Sequence, residues 1–128
     1  MSLVTAKKKP TDAELAILHV LWARGPSTVR EVATAMDHQG AYTTVLKLLQ
    51  IMAAKGLVRR NEADRSHVYE AADSQDHTEK QIVREVLQKV FDGSAAKLVM
   101  QALSSGKVSA GEISEIRRLL DKHRGGRS

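Results

Sequence analysis

The chain has 128 residues, 42% of them apolar, and a net charge of +5, which suits one domain or two small ones with a packed core. It contains no cysteine, which excludes a disulfide framework, a thiolate metal site and a cysteine nucleophile. No apolar run approaches the roughly 18 residues of a membrane span, and "MSLVTAKKKP" lacks the hydrophobic centre of a signal peptide, so a cytoplasmic protein with no membrane insertion is expected. The cationic excess suits an anionic partner such as nucleic acid, but it is spread evenly. Residues 1–72 hold ten Lys or Arg against seven acids, and residues 73–128 hold ten against eight. Besides histidine, the aromatic residues are Trp22, Tyr42, Tyr69 and Phe91, so the core is expected to be mostly Leu, Ile, Val, Ala and Met, which favours helices.

Residues 1–10 read as a flexible arm. "TDAE" then places Thr11 and Glu14 in capping-box spacing, where hydroxyl and carboxylate each satisfy a backbone N–H at a helix start. A first helix follows through "LAILHVLWAR" and stops at Gly25-Pro26; His19 within it reads as a partly buried core residue. "TVRE" repeats the signal with Thr28 and Glu31. Val29, Val32, Ala33 and Met36 give the stripe of a short second helix that ends before "DHQG". A third helix lies in "AYTTVLKLLQIMAAKG", residues 41–56, with weak capping at Gly40 and Ala41 and Gly56 at a plausible terminating position. At about 100° per residue, Val45, Leu48, Leu49 and Met52 share one face. Thr43, Leu46, Lys47, Gln50 and Ala54 gather on the opposite, acid-free face.

The apolar period then changes. "LVRRNE" and "HVYEAA", joined by the turn-forming "ADRS", predict an antiparallel hairpin. Three helices followed by a hairpin is the winged-helix layout, in which the second and third helices form a helix-turn-helix and the third enters the DNA major groove. Thr43 and Thr44 suit phosphates or base acceptors, Gln50 suits adenine, Leu46 suits a thymine methyl and Lys47 supplies charge. Tyr42 stands at the start of the same helix. Arg59, Arg60, Arg65 and His67, on or beside the hairpin, suit phosphates, which fix register without reading sequence.

Three more amphipathic stretches fill residues 73–124, before a short tail at 125–128. Val83, Val86, Leu87, Val90 and Phe91 form one stripe; Ala95, Leu98, Val99, Ala102 and Leu103 form another after Gly93-Ser94. Ser109 and Glu112 repeat the capping-box spacing ahead of Ile113, Ile116, Leu119 and Leu120. Roughly fifty residues make a marginal core alone. The expectation is therefore a homodimer closed by Val83, Val86, Leu87, Val90, Phe91, Leu98, Val99, Leu103, Ile113, Ile116 and Leu120. A two-fold dimer reads an inverted repeat in double-stranded DNA, and anything that breaks the dimer releases it. The predicted fold class is mainly α with a small β-hairpin: a winged helix-turn-helix at 11–72 and a three-helix dimerisation region at 73–124.

From Pro10 to about Lys122 the chain resembles the penicillinase repressor family, often called BlaI/MecI/CopY. The resemblance is carried by "PTDAELAILHVLWARGPSTVREV", "AYTTVLKLLQIMAAKGLVRR", "DRSHVYEA" and "VFDGSAAKLVMQAL", in the family's order and spacing. It implies a DNA-binding winged helix, an intertwined helical dimerisation region and repression at palindromic operators. It also implies base or phosphate contacts at Thr43, Thr44, Leu46 and Lys47. In the copper-responsive branch a C-terminal cysteine cluster binds metal; this chain has none, so that route is excluded. In the penicillinase branch a membrane sensor metalloprotease, directly or through a downstream protease, triggers cleavage at an Asn-Phe bond that aligns here with Gln101-Ala102. Ile51, where many members carry arginine, lies on the flank with Thr44 and can serve as a packing residue.

Other chemistries find little support. His19, His38, His67, His77 and His123 show no i, i+4 pairing, so no metal site is expected, and neither GxSxG nor GxxxxGK[ST] occurs, so no enzyme and no cofactor are expected. "SSGK" at 104–107 reads as an interhelix loop. Two alternatives stand beside the repressor reading: a winged-helix protein-interaction module using the third-helix face, and a DNA-binding regulator responsive to a small ligand.

Overall fold

The computed structural model describes residues 9–37, 41–62 and 67–125. Six helices and one hairpin follow in chain order: α1 (Asp12–Arg24), α2 (Val29–Ala35), α3 (Tyr42–Lys55), β1 (Val58–Asn61), β2 (Val68–Ala71), α4 (Gln75–Val90), α5 (Ala95–Ser104) and α6 (Ala110–Gly125). The fold is mainly α with a two-stranded antiparallel sheet, as the sequence predicts. Most of the expected arm, the hairpin turn with Arg65, His38 and residues 126–128 lie outside the described residues.

All three capping boxes form. Thr11 accepts from the Glu14 amide at 3.2 Å while Glu14 accepts from the Thr11 amide at 2.9 Å. Thr28 and Glu31 repeat this at 3.1 and 2.9 Å, and Ser109 and Glu112 at 3.1 and 3.4 Å. Each box satisfies two backbone donors that the first turn would otherwise leave unpaired. At the other end of α3, Gly56 takes φ 83° and ψ 11°, the left-handed conformation that costs glycine least. Its N–H reaches back to the Ala53 carbonyl at 3.1 Å.

The chain forms two compact units, one up to Ile82 and one from Val83. The first has a continuous core: Ile17, Leu18 and Leu21 from α1, Val29, Val32 and Ala33 from α2, Val45, Leu49 and Met52 from α3, with Leu57, Val58 and Tyr69. Tyr69, only 1% exposed, is, among the described residues, the one aromatic residue of this mostly aliphatic core. In β2 it pairs with Arg60 of β1, in a register that also sets Val58 against Ala71, Arg59 against Glu70 and Asn61 against Val68. On its other side the Tyr69 backbone exchanges hydrogen bonds of 2.8 and 2.9 Å with Ser27. This isolated bridge makes the segment before α2 an extra pairing partner of the sheet, which ties the α1–α2 connection to the hairpin.

A buried ion pair closes the same unit. Glu14 of α1, 2% exposed, accepts from the Lys55 ammonium at 2.5 Å. Burial works to raise the Glu14 pKa, but the Lys55 ammonium and the Thr11 backbone N–H outweigh it and hold the carboxyl below its ordinary 4.5. The first unit reaches past residue 72 because Trp22 Nε1 donates to the Asp73 carbonyl at 3.0 Å and Thr78, on the first turns of α4, is buried. His19, in contrast, is exposed. It stands on the outer side of α1 with its ring edge-on to Trp22, centroids 5.3 Å apart, and is not the core histidine the apolar context suggests.

The second unit comprises the end of α4 with α5 and α6. Asp92 and Gly93 both adopt positive φ after α4, and Ser94 caps α5 by accepting from the Lys97 amide at 3.1 Å. Among the described residues neither α5 nor α6 buries a single side chain. Val90 is 68% exposed and Leu120 63%. The expected apolar stripes are present, but within one chain they enclose no core.

Candidate nucleic-acid interface

Three buried side chains of α3, Val45, Leu49 and Met52, seat it on the first unit, and Leu48 is half-buried beside them. Fully burying residues of this size contributes about 1.5–3 kcal/mol each, so the helix is held by one face with its rotation fixed. Thr43, Thr44, Lys47, Gln50, Ile51 and Ala54 are left exposed. They stack in adjoining i, i+3 and i, i+4 rows. No acid occurs anywhere in "YTTVLKLLQIMAAK". The N-terminus of α3, at Ala41, receives no side-chain cap.

One position differs from the wheel. Leu46 is half-buried and packed against the core rather than standing on the outward face; at about 100° from Val45 it lies on the flank, where an aliphatic side chain gains more from the core than from water. Ile51 is 42% exposed and extends the outward face beside Thr44. Tyr42 is 47% exposed and carries the guanidinium of Arg30 from α2 over its ring at 5.4 Å. Arg30 was not anticipated from sequence: its relation to Tyr42 spans two helices and has no local signature.

On the hairpin, Arg59 bonds Glu70 Oε2 and the Ala72 carbonyl, both at 3.4 Å, while Arg60 donates to Glu62 at 2.5 Å. Tyr69 and then Glu62 raise the Arg60 pKa above its ordinary value, so its cation persists at any ordinary pH. These exposed pairs are weak, and a phosphate can take over such guanidinium donors. His67 is exposed at φ 52°, a left-handed conformation beside the hairpin turn. Arg65 lies outside the described residues.

Of the residues expected to close a dimer, Val83, Val90, Val99, Leu103 and Leu120 are exposed. Val86, Leu87, Phe91, Leu98, Ile113 and Ile116 are half-buried. Met100, 63% exposed, joins them on α5. Gln101 and Ala102, flanking the aligned cleavage bond, are exposed on the same helix. No helix among the described residues is long and apolar enough to cross a membrane.

The geometry is that of a winged helix: three helices and a hairpin, with α2 and α3 packed as a helix-turn-helix and the outer face of α3 open. The family model described as Penicillinase repressor matches residues 10–122. The chain belongs to the penicillinase repressor family. Among relatives of this family member, "Transcriptional regulator BlaI" of Mycobacterium tuberculosis is 32% identical over 112 residues, covering 85% of this chain and 80% of the relative. "Penicillinase repressor" of Bacillus licheniformis is 25% identical over 123 residues, covering 92% and 95%. A solved structure of a MarR family protein from Bacillus stearothermophilus shares the fold at a TM-score of 0.51 and 24% identity, covering 93% of this chain and 76% of that one. Membership makes the chain a transcriptional regulator with a winged-helix DNA-binding fold.

Proposed function

We propose that the protein is a homodimeric transcriptional repressor that binds an inverted-repeat operator and blocks transcription by occupying promoter DNA. The observation that carries this reading is the outer face of α3: exposed, free of acids, with hydroxyl, amide and ammonium groups held in fixed rows by a helix whose other face is buried. Thr43, Thr44, Lys47 and Gln50 reach base edges and phosphates there, while Tyr42, Arg59, Arg60, Arg65 and His67 hold the flanking backbone. Leu46, on the flank of the helix, contributes at the rim of this contact at most.

The dimer follows from the second unit. Helices α5 and α6 leave large aliphatic side chains in water, and a second copy that covers them removes that cost twice over. Two α3 helices related by the dimer axis then meet half-sites one helical turn of DNA, or a multiple, apart. Release follows from loss of the dimer. Gln101-Ala102 stands exposed on α5, so cleavage at or beside it by a sensor metalloprotease or a protease downstream would cut the stripe that holds the two chains together.

The test combines sedimentation of the purified chain with its affinity for sheared duplex DNA over a range of salt. The proposal requires a particle of twice the 14.0 kDa chain mass and a log–log salt slope of about −0.9 per phosphate neutralised. A 14.0 kDa particle, or binding indifferent to salt, overturns it, and the latter would favour a protein-interaction module.

A further inference from the structure

In the first unit only two large hydrophobic side chains are exposed among the described residues, Tyr42 and Ile51, and both are on α3. The ring of Tyr42 is engaged by Arg30. Ile51 has no such role. The other large aliphatic residues of the helix, Val45, Leu46, Leu48, Leu49 and Met52, lie in the core or pack against it, and Ile51, 42% exposed, is the large aliphatic residue of α3 that stands open to water. Lys47, one turn back, and Ala54, on the next turn, border it on one side with Gln50 beyond them; Thr44, two turns back, and Lys55, whose ammonium engages Glu14, border it on the other.

A branched aliphatic group that keeps 42% of its surface in water is too small and isolated at that place to anchor a protein partner, where large aromatic and arginine side chains carry most of the binding. Its surroundings suit a different occupant. A hydroxyl, an ammonium and an amide flank it, the groups that pair with phosphates and base edges, and no acid is present to repel a polyanion. The major groove offers one apolar feature to such a face, the C5 methyl of thymine. We infer that Ile51 is a specificity residue that packs on a thymine methyl in each half-site of the operator. This inference rests on the operator reading proposed above and names part of what that operator contains.

The experiment selects bound duplexes from a random-sequence pool with the full-length protein, then replaces the thymines of the selected site one at a time by deoxyuridine, which lacks only the methyl. For the unaltered protein, loss of the methyl at one thymine, repeated in both half-sites, weakens binding about fourfold per half-site, the value expected for one apolar carbon leaving water. For Ile51→Ala the same replacement has no effect, while its circular dichroism spectrum at the binding temperature matches that of the unaltered protein. If a sequence is selected but no thymine replacement distinguishes the two proteins, the role of Ile51 is overturned and the operator reading stands. If the unaltered protein selects no sequence at all, both fail together.

Discussion

Lys47 is the one formal charge on the exposed rows of α3, so its contribution separates from the rest of the face. Replacing it by alanine should lower affinity for duplex DNA and reduce the salt slope by about 0.9 if it neutralises one phosphate, with the unfolding curve unchanged; titrations at several salt concentrations measure both. Lys55, two turns further on, is expected to behave in the opposite way because its charge faces inward. Lys55→Met leaves the buried Glu14 carboxylate unpaired and should cost about 3 kcal/mol at neutral pH. The depressed Glu14 pKa means that the pair stabilises the fold above the ordinary value of 4.5 and that this contribution is lost as pH falls through the lower folded value. The deficit of the variant should therefore shrink in acid, where Glu14 is protonated and no buried charge is left stranded. Urea unfolding of both proteins at neutral and acidic pH would show a difference independent of pH if the pair were electrostatically unimportant.

At the scale of elements, the first unit depends on α2 and α3 keeping a fixed relation, and α2 is only seven residues long. A helix this short is marginal without its cap, so Thr28→Ala should destabilise the protein by about 1 kcal/mol, measurable as a lowered denaturant midpoint. The features legible in the sequence are of this local kind. Thr11 with Glu14, Thr28 with Glu31 and Ser109 with Glu112 are three residues apart, and their chemistry needs nothing from the rest of the chain. The buried stripe of α3 and the hairpin partners are likewise fixed by period. What sequence could not supply was set by distant neighbours. The Ser27–Tyr69 bridge joins a loop to a strand across some forty residues, the Glu14–Lys55 pair joins the start of α1 to the end of α3, and Arg30 finds Tyr42 across two helices. Leu46 was set on the outward face for a related reason: a wheel gives angles, but only the packed neighbour decides which flank is covered. His19 failed similarly, because α1 turns its His19 side to water.

For the whole molecule, the first unit has a core of its own and the second buries no side chain of α5 or α6 among the described residues, so under the proposed dimer the stability of the second unit and the binding of DNA should both depend on protein concentration. An aspartate at Leu98 would place a charge in the apolar stripe of α5, and the expected result is a single-chain species by sedimentation. Operator affinity should fall at least about 100-fold with it, since each half-site would then be bound without the effective concentration that a partner copy supplies in the proposed dimer. Retention of the dimer would move the interface off α5. Val90→Asp tests the end of α4 in the same way.

The proposal that two α3 faces read one inverted repeat is tested most directly by incubating the purified protein with sheared DNA from its source organism and sequencing the bound fragments. The account requires enrichment of one inverted repeat, with half-site centres separated by about one helical turn or a multiple, and the genes beside it would identify what is repressed. Recovery of unselected DNA, or of a sequence with no two-fold symmetry, would contradict it.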